Sequence, residues 1–479
     1  MKKKEWNEGL NHLDTELVEE HIVKKDRCAQ KKKRTRPYWF SAVAAVLVLA
    51  IGFGALWGGN ETLLPNQVAA AQYPQMPQMP NEADYGNDWK AYNDAYRVWR
   101  ENQREQYDQP DGYADSLTNF FYTSIAQFLQ DGNNPTYSPL NVYMAMAMLA
   151  ETTGGNSRQQ ILDLFGVDTI EQLREQAGHV WNAHYSDDGE TTVLLANSLW
   201  LNKNYTFKKA TANLLAKNYY ASSFNGNLGT EEMNKQLHDW LNQNTDGLLK
   251  EQAENVKLTP DTVFALASTI CFTASWYDEF SQNDTKDAVF HSPEGDITVP
   301  FMNKTMTHMY YWAKNFGAIY LRLSGNNEMW LILPDEGYTV ADILASEDYL
   351  KMTMDPNAWE NKREYKINLS LPKFDVSDQK DLIQGMKAMG LTDIFNDAVS
   401  DFTPLTNTSG VFVSQINHAA RVAIDEKGCI AAAFTVILGD TGGMPLERDE
   451  IDFVLDRPFL FIVSSRDNLP LFAGVVNEP

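Results

Sequence analysis

The chain has 479 residues, 43% of them apolar, which suits one large domain with appendages and excludes a largely disordered chain. Its formal net charge is −24, unevenly spread: residues 1–38 carry an excess of four positive charges and the remainder an excess of 28 negative ones. So acidic a body excludes a nucleic-acid partner, because phosphate binding needs a basic footprint.

Along the chain, a basic tail comes first. Lys24, Lys25, Arg27, Lys31, Lys32, Lys33, Arg34 and Arg36 precede an uncharged run from Tyr38 to Gly58. About 20 apolar residues in a helix cover the ~30 Å hydrocarbon core, and Tyr38, Trp39 and Trp57 flank the run as interfacial aromatics do. The segment after it has no Lys or Arg through Asn87. The positive-inside rule then predicts a cytoplasmic tail over 1–37, a transmembrane helix over 38–58 and an external body, a single-pass cell-membrane protein. A cleaved signal peptide ending at Ala69-Ala70-Ala71 is the competing reading. It is disfavoured by the long N-terminal region and by the distance from the apolar run.

Residues 59–110 read as an extracellular linker. Proline recurs every third residue from Pro74 to Pro80, which favours extended backbone. Trp89, Tyr92, Tyr96 and Trp99 then fall at helical spacing, a face expected to pack on its own domain.

From about Asp111 helices and strands mix. Leu117, Phe120, Phe121, Ile125 and Phe128 mark one helix face. Val193–Leu201 and Thr262–Phe272 are apolar and β-prone. Glu364–Leu371 alternates as a half-buried strand does, and Met329–Leu333 and Phe459–Val463 suit central strands. Few tight turns join these strands, so an α+β domain over 111–479 with large sheets fits best. Chemistry-bearing motifs are missing. Cys28, Cys271 and Cys429 make neither a disulfide framework nor a metal spacing, and there is no His-Glu-x-x-His, Gly-x-Ser-x-Gly or phosphate-cradling loop. No metal or cofactor is expected.

Seven segments then appear in a telling order. They are Asn134–Leu140, Thr153–Ile161, Ala196–Trp200, Ser268–Phe280, Leu371-Pro372-Lys373-Phe374, Gly390–Phe395, and the ending from Asp456-Arg457-Pro458-Phe459 to Pro479. Each resembles a serpin-family segment, and together they cover roughly Ser116–Pro479. The resemblance implies a serpin fold: large mixed β-sheets, about nine helices and an exposed reactive-centre loop. It implies inhibition of serine proteases and no catalytic residue, so the chain is not read as an enzyme.

Ile424–Ala433 resembles the hinge from which the reactive loop of such proteins rises. Hinge residues are then Glu426, Gly428, Cys429, Ala431, Ala432 and Ala433. Alternate residues of a strand face opposite sides, and Cys429, Ala431, Ala433 and Thr435 are small and uncharged at period two. No proline or charge interrupts 429–438. The residues alone also fit an ordinary buried strand; the resemblance adds a strand that inserts after cleavage. It further implies a sheet-opening gate of Ser138, His418 and Ser268, with Trp276 where the loop enters. Ser268 stands where the family usually has Asn, and Cys429 and Ile430 replace the usual Thr and Glu.

Counting from Glu426 puts the scissile bond at or beside Gly442, within Asp440, Thr441, Gly442, Gly443 and Met444. That window has no Lys, Arg or large aromatic, which suits the shallow pocket of elastase-like or subtilisin-like enzymes. Arg448 serves only if the loop is read several residues later. The expected protein is a monomer that forms a covalent complex with a protease. The alternative is a non-inhibitory serpin-fold binding protein; a receptor acting through the tail is excluded by the tail's shortness.

Overall fold

A computed structural model of the chain describes residues 65–71, 73–74, 76, 78–189, 191–245, 247–429 and 449–479. The expected tail and span lie outside these residues, as do Ala431, Ala432, Ala433 and the whole window 440–444. Among the described residues no helix is long and apolar enough to cross a membrane.

The strands are β1 (Gln67–Ala69), β2 (Thr136–Tyr137), β3 (Ser186–Asp187), β4 (Thr191–Asn202), β5 (Ala221–Gly226), β6 (Phe264–Ser275), β7 (Lys286–Ser292), β8 (Gly295–Trp312) and β9 (Phe316–Arg322). They continue as β10 (Glu328–Pro334), β11 (Lys362–Pro372), β12 (Phe374–Asp381), β13 (Asn417–Ile424), β14 (Gly428–Cys429), β15 (Glu450–Val454), β16 (Phe459–Ser464) and β17 (Pro470–Val476). The helices are α1 (Trp89–Tyr107), α2 (Thr118–Phe128), α3 (Pro139–Thr152), α4 (Gly155–Leu164), α5 (Ile170–His184), α6 (Lys209–Asn218), α7 (Glu231–Asn244), α8 (Lys250–Asn255), α9 (Val340–Leu344), α10 (Asp348–Met354) and α11 (Ile383–Ala388). Eleven helices among the described residues correct the expected nine. Four of them, α8 to α11, have five to seven residues, too few turns to leave a 3.6-residue pattern.

An eight-stranded sheet runs β1-β5-β4-β6-β14-β13-β12, with β3 beside β4. A nine-stranded sheet runs β15-β11-β8-β9-β10-β16-β17-β2, with β7 beside β8. Parallel pairs (β4 with β5, β11 with β15) sit among antiparallel ones, so both sheets are mixed, as expected. The β-prone runs fall inside β4, β10, β11 and β16, and Thr262–Phe272 overlaps β6 from Phe264 on. In β11 the alternation holds: Ile367, Leu369 and Leu371 are buried.

Helix α3 lies between the sheets, against β6 and β17, and is buried along nearly its whole length. Its start is written locally. Ser138 caps it, accepting from the Asn141 N–H, and Pro139 occupies the first turn, where a missing N–H costs nothing. On the outer face of the eight-stranded sheet, Trp200 and Phe224 pack under Met233 and Leu237 of α7.

The expected linker is packed instead across its central part. β1 pairs with β5, Ala71 is buried, and Tyr73 stacks on three aromatic rings of the body. An extended segment ahead of the prolines is what a sheet edge accepts. Trp99 of α1 is buried as expected, whereas Trp89 is exposed.

Candidate hinge and sheet seam

The seam lies between β6 and β13, which do not pair with each other. β14 sits between their ends, with Gly428 opposite Ser275, Cys429 opposite Ala274, and Ile424 opposite Cys429. Two residues thus already occupy a strand position in the sheet. Gly428 is required by space: a Cβ there would lie 2.2 Å from the Ala274 carbonyl oxygen. Below Cys429 β6 and β13 stay unpaired, with a small gap between them partly open to solvent. Ile270 and Phe272 of β6 face Ala420 and Val422 of β13 across it. Leu248 and Leu249 close it from outside, and Arg421 donates to the Leu248 carbonyl at 3.2 Å.

The turn from β13 into β14 is held on all sides. The Asp425 carboxylate accepts from the N–H groups of Lys427 and Gly428 at 2.8 and 3.3 Å. Trp276, buried, donates its indole N–H to the Asp425 carbonyl at 2.8 Å and its backbone N–H to the Lys427 carbonyl at 2.8 Å. Phe280 donates its N–H to the Glu426 carbonyl. The Glu426 carboxylate, 7% exposed, accepts from Lys373 Nζ at 2.8 Å and from the Thr285 hydroxyl at 2.8 Å. Burial works to raise its pKa, but the bonds from Lys373, its own backbone N–H and Thr285 outweigh that and hold it below the usual glutamate range. Burial, with Asp425 and Cys271 adding, pushes the Cys429 thiol up to about 12, so it behaves as a small apolar group.

Deeper in the molecule, the start of α3 touches both sides of the seam. The Ser138 N–H donates to His418 Nε2 at 3.1 Å, and the Ser138 hydroxyl to the Leu471 carbonyl at 2.6 Å. Burial, helped by Lys380, lowers His418 to about 3, so the ring is neutral and Nε2 accepts. On the other side, Ser268 of β6 donates its hydroxyl to Asn141 Oδ1 at 2.5 Å, and Asn141 Nδ2 donates to the Ser268 carbonyl at 3.3 Å. Ser138, Ser268 and His418 are therefore brought together by one helix terminus. Trp276 sits apart from them, with Glu426, Gly428 and Cys429 at the sheet's end.

Four residues here were not singled out from sequence: Asn141, Lys373, Thr285 and Asp425. Lys373 lay inside a quoted motif without a role. Asn141 follows the capping Ser138 by one helical turn, a spacing that puts it at the same helix end. Asp425 likewise lay inside the quoted hinge segment without a role, and Thr285 left no signal.

A family model described as Serpin (serine protease inhibitor) matches residues 115–479. The chain belongs to the serpin family. Serpin-ZX of Arabidopsis thaliana is 27% identical over 384 residues, covering 76% of this chain and 96% of the relative. Alpha-1-antiproteinase of Rattus norvegicus is 28% identical over 394 residues, covering 79% and 93%. Among solved structures, the thermophilic serpin tengpin in its native state matches with a TM-score of 0.69 at 22% identity, over 78% of this chain and 95% of that one. Thyroxine-binding globulin in complex with thyroxine matches with a TM-score of 0.64 at 21% identity, over 77% and 98%; these two likenesses are of fold alone. Serpins are generally inhibitors of serine proteases rather than catalysts.

Proposed function

We propose that this serpin is a suicide-substrate inhibitor of serine proteases, acting as a monomer held outside the cell by its N-terminal span. The seating of Gly428–Cys429 between β6 and β13, above a gap lined mostly by apolar side chains, carries this reading. A protease serine attacks the scissile peptide within Asp440–Met444, the amine side leaves, and an acyl-enzyme forms. The freed loop continues the strand that Gly428 and Cys429 begin, with Ala431, Ala433 and Thr435 on the same side as Cys429. Insertion between β6 and β13 carries the acyl-enzyme along the sheet before water can release it. The bonds of Ser138 to His418 and of Asn141 to Ser268 tie both sides of the seam to the start of α3 until then, and the bonds of Trp276 to Asp425 and Lys427, with the Lys373–Glu426 pair, keep the hinge at the sheet's end.

The test is a gel. The external domain, mixed with a panel of serine proteases, is expected to give an SDS-stable complex with an elastase-like or subtilisin-like enzyme. Clean cleavage by every enzyme without a complex favours the non-inhibitory reading. The topology has its own check: protease added to intact cells should remove the body and leave a short membrane stub, and full protection sinks it.

A further inference from the structure

We propose that the corner of the body where the chain reaches β5 is a docking surface for anionic phospholipid headgroups, formed by Lys203, Lys209 and Lys217. The inference rests on the N-terminal span proposed above. Beyond residue 38 the chain carries an excess of 28 negative charges, yet residues 191–230, which hold β4, α6 and β5, contain four lysines and no Asp or Glu. Acid returns at Glu231 and Glu232, in the first turn of α7.

The fold gathers these lysines beside the point where the chain joins the body. The Asn225 N–H donates to the Asn66 carbonyl at 2.7 Å, and the Lys203 N–H donates to the carbonyl of the next residue of β5, Gly226, at 2.9 Å. Helix α6 packs against β5 and β1, and Lys209, Asn213 and Lys217 recur at four-residue spacing along its exposed side. Lys208 is engaged elsewhere: it donates to the Thr403 carbonyl, with Asp401 close by. Lys203, Lys209 and Lys217 are exposed, and among the described residues none of the three forms an ion pair.

Chain length identifies what meets this corner. Eight residues, 59–66, join the uncharged run 38–58 to the Asn66 anchor, and eight residues fully extended reach about 29 Å at most. The Pro65 carbonyl is itself fastened, accepting from Gln236 Nε2 at 2.7 Å. With the run in the bilayer, the β5 corner is kept beside the headgroups. Lysines without acids of their own then pair with lipid phosphate, an attraction that acts within a Debye length of ~10 Å at 0.1 M salt. The contact sets the β5 edge of the sheet toward the membrane and leaves the β6–β13 seam on the far side of β4 and β6.

The test reconstitutes the full chain in vesicles of phosphatidylcholine, or of phosphatidylcholine and phosphatidylglycerol in equal parts. A membrane-impermeant reagent acylates exposed amines, and mass spectrometry reads each lysine's rate relative to Lys314, exposed between β8 and β9 in the other sheet. On the anionic vesicles Lys203, Lys209 and Lys217 are expected to react about fivefold more slowly than on the neutral ones, the factor that one lysine near an anionic surface carries. Molar salt should abolish the difference. In the variant Lys203→Glu/Lys217→Glu, whose changes are both on the surface, Lys209 should react alike on the two lipids. Rates within about twofold between the two lipids in the parent overturn the docking surface, since a tether shields equally on both. Equal slowing on neutral vesicles by soluble dextran sulfate assigns the lysines to a free polyanion and overturns the lipid contact. Alkaline carbonate tells the two failures apart. A chain that it strips from the vesicles has no span, and the docking surface falls with it; a chain that stays without lipid dependence loses the docking surface alone.

Discussion

Lys373 and Glu426 join two strands at the end of the eight-stranded sheet: Lys373 Nζ, one residue before β12, donates to Glu426 Oε2 at 2.8 Å, in the turn that leads into β14. The carboxylate is nearly buried and the ammonium about one-third exposed, so solvent screens only one partner. Glu426→Gln should cost about 1–2 kcal/mol, the range for a charge-assisted bond discounted for that exposure. The folded-state pKa of Glu426 is depressed, so its contribution is present above the unfolded value of about 4.3 and is lost as pH falls through the lower folded value. Thermal melts of parent and variant should differ at pH 7 and converge as the pH falls below the depressed folded value. A difference that persists at low pH would contradict the ion pair as its source.

His418 gives the same sign from a different cause, burial of a neutral ring. Its folded pKa of about 3 lies below the unfolded value of 6.5, so between those values the unfolded chain binds the proton and the native chain does not. Stability is therefore unaffected above about pH 6.5 and falls with acid below it, by at most about 1.4 kcal/mol per pH unit. His418→Gln keeps an acceptor for the Ser138 N–H and removes the titration. Its melting temperature should fall less than the parent's between pH 7 and pH 5. Parallel curves would show that His418 does not control acid sensitivity.

Gly428→Ala places a methyl group 2.2 Å from the Ala274 carbonyl oxygen and 2.7 Å from Ser275 Cα. Backbone on both counts has nowhere to go, so β14 must leave the seam. Overpacking of this kind costs about 1–3 kcal/mol. Denaturant unfolding should report that loss, and hydrogen exchange should show the N–H groups of Trp276, which donates to the Lys427 carbonyl, and of Cys429 losing protection. An unchanged exchange pattern would mean that the seam is looser than its contacts imply.

The loop itself is probed by Ala433→Arg. If Ala433 enters the sheet on the Cys429 side, an arginine there carries an unpaired charge into the interior, at a cost of several kcal/mol. The variant should still be cleaved but should act as a substrate, with the stable complex lost and turnover gained on the same gel. Inhibition equal to the parent's would show that residue 433 does not insert.

Much of this protein was readable before its coordinates. The order of motifs from Asn134 to Pro479 named the fold, because capping at Ser138-Pro139, the alternation of Glu364–Leu371 and the apolar runs at 329–333 and 459–463 are local properties of consecutive residues. The short helices α8 to α11 were not countable, since five to seven residues are placed by what they pack on rather than by their own pattern. The substitution at Ser268 was visible as a departure, but its compensation was not. Asn141 lies 127 positions away, and only the packing of α3 beneath β6 sets its amide against the serine. Lys373 and Glu426 are likewise separated by 53 positions and met by register. The segment ahead of the prolines shows the same division: its docking depended on the edge at β5 and on the rings of Trp181, Tyr185 and Tyr220. Local sequence dictates conformation through backbone sterics and side-chain periodicity; contact between distant segments is decided by which surfaces the folded sheets leave available.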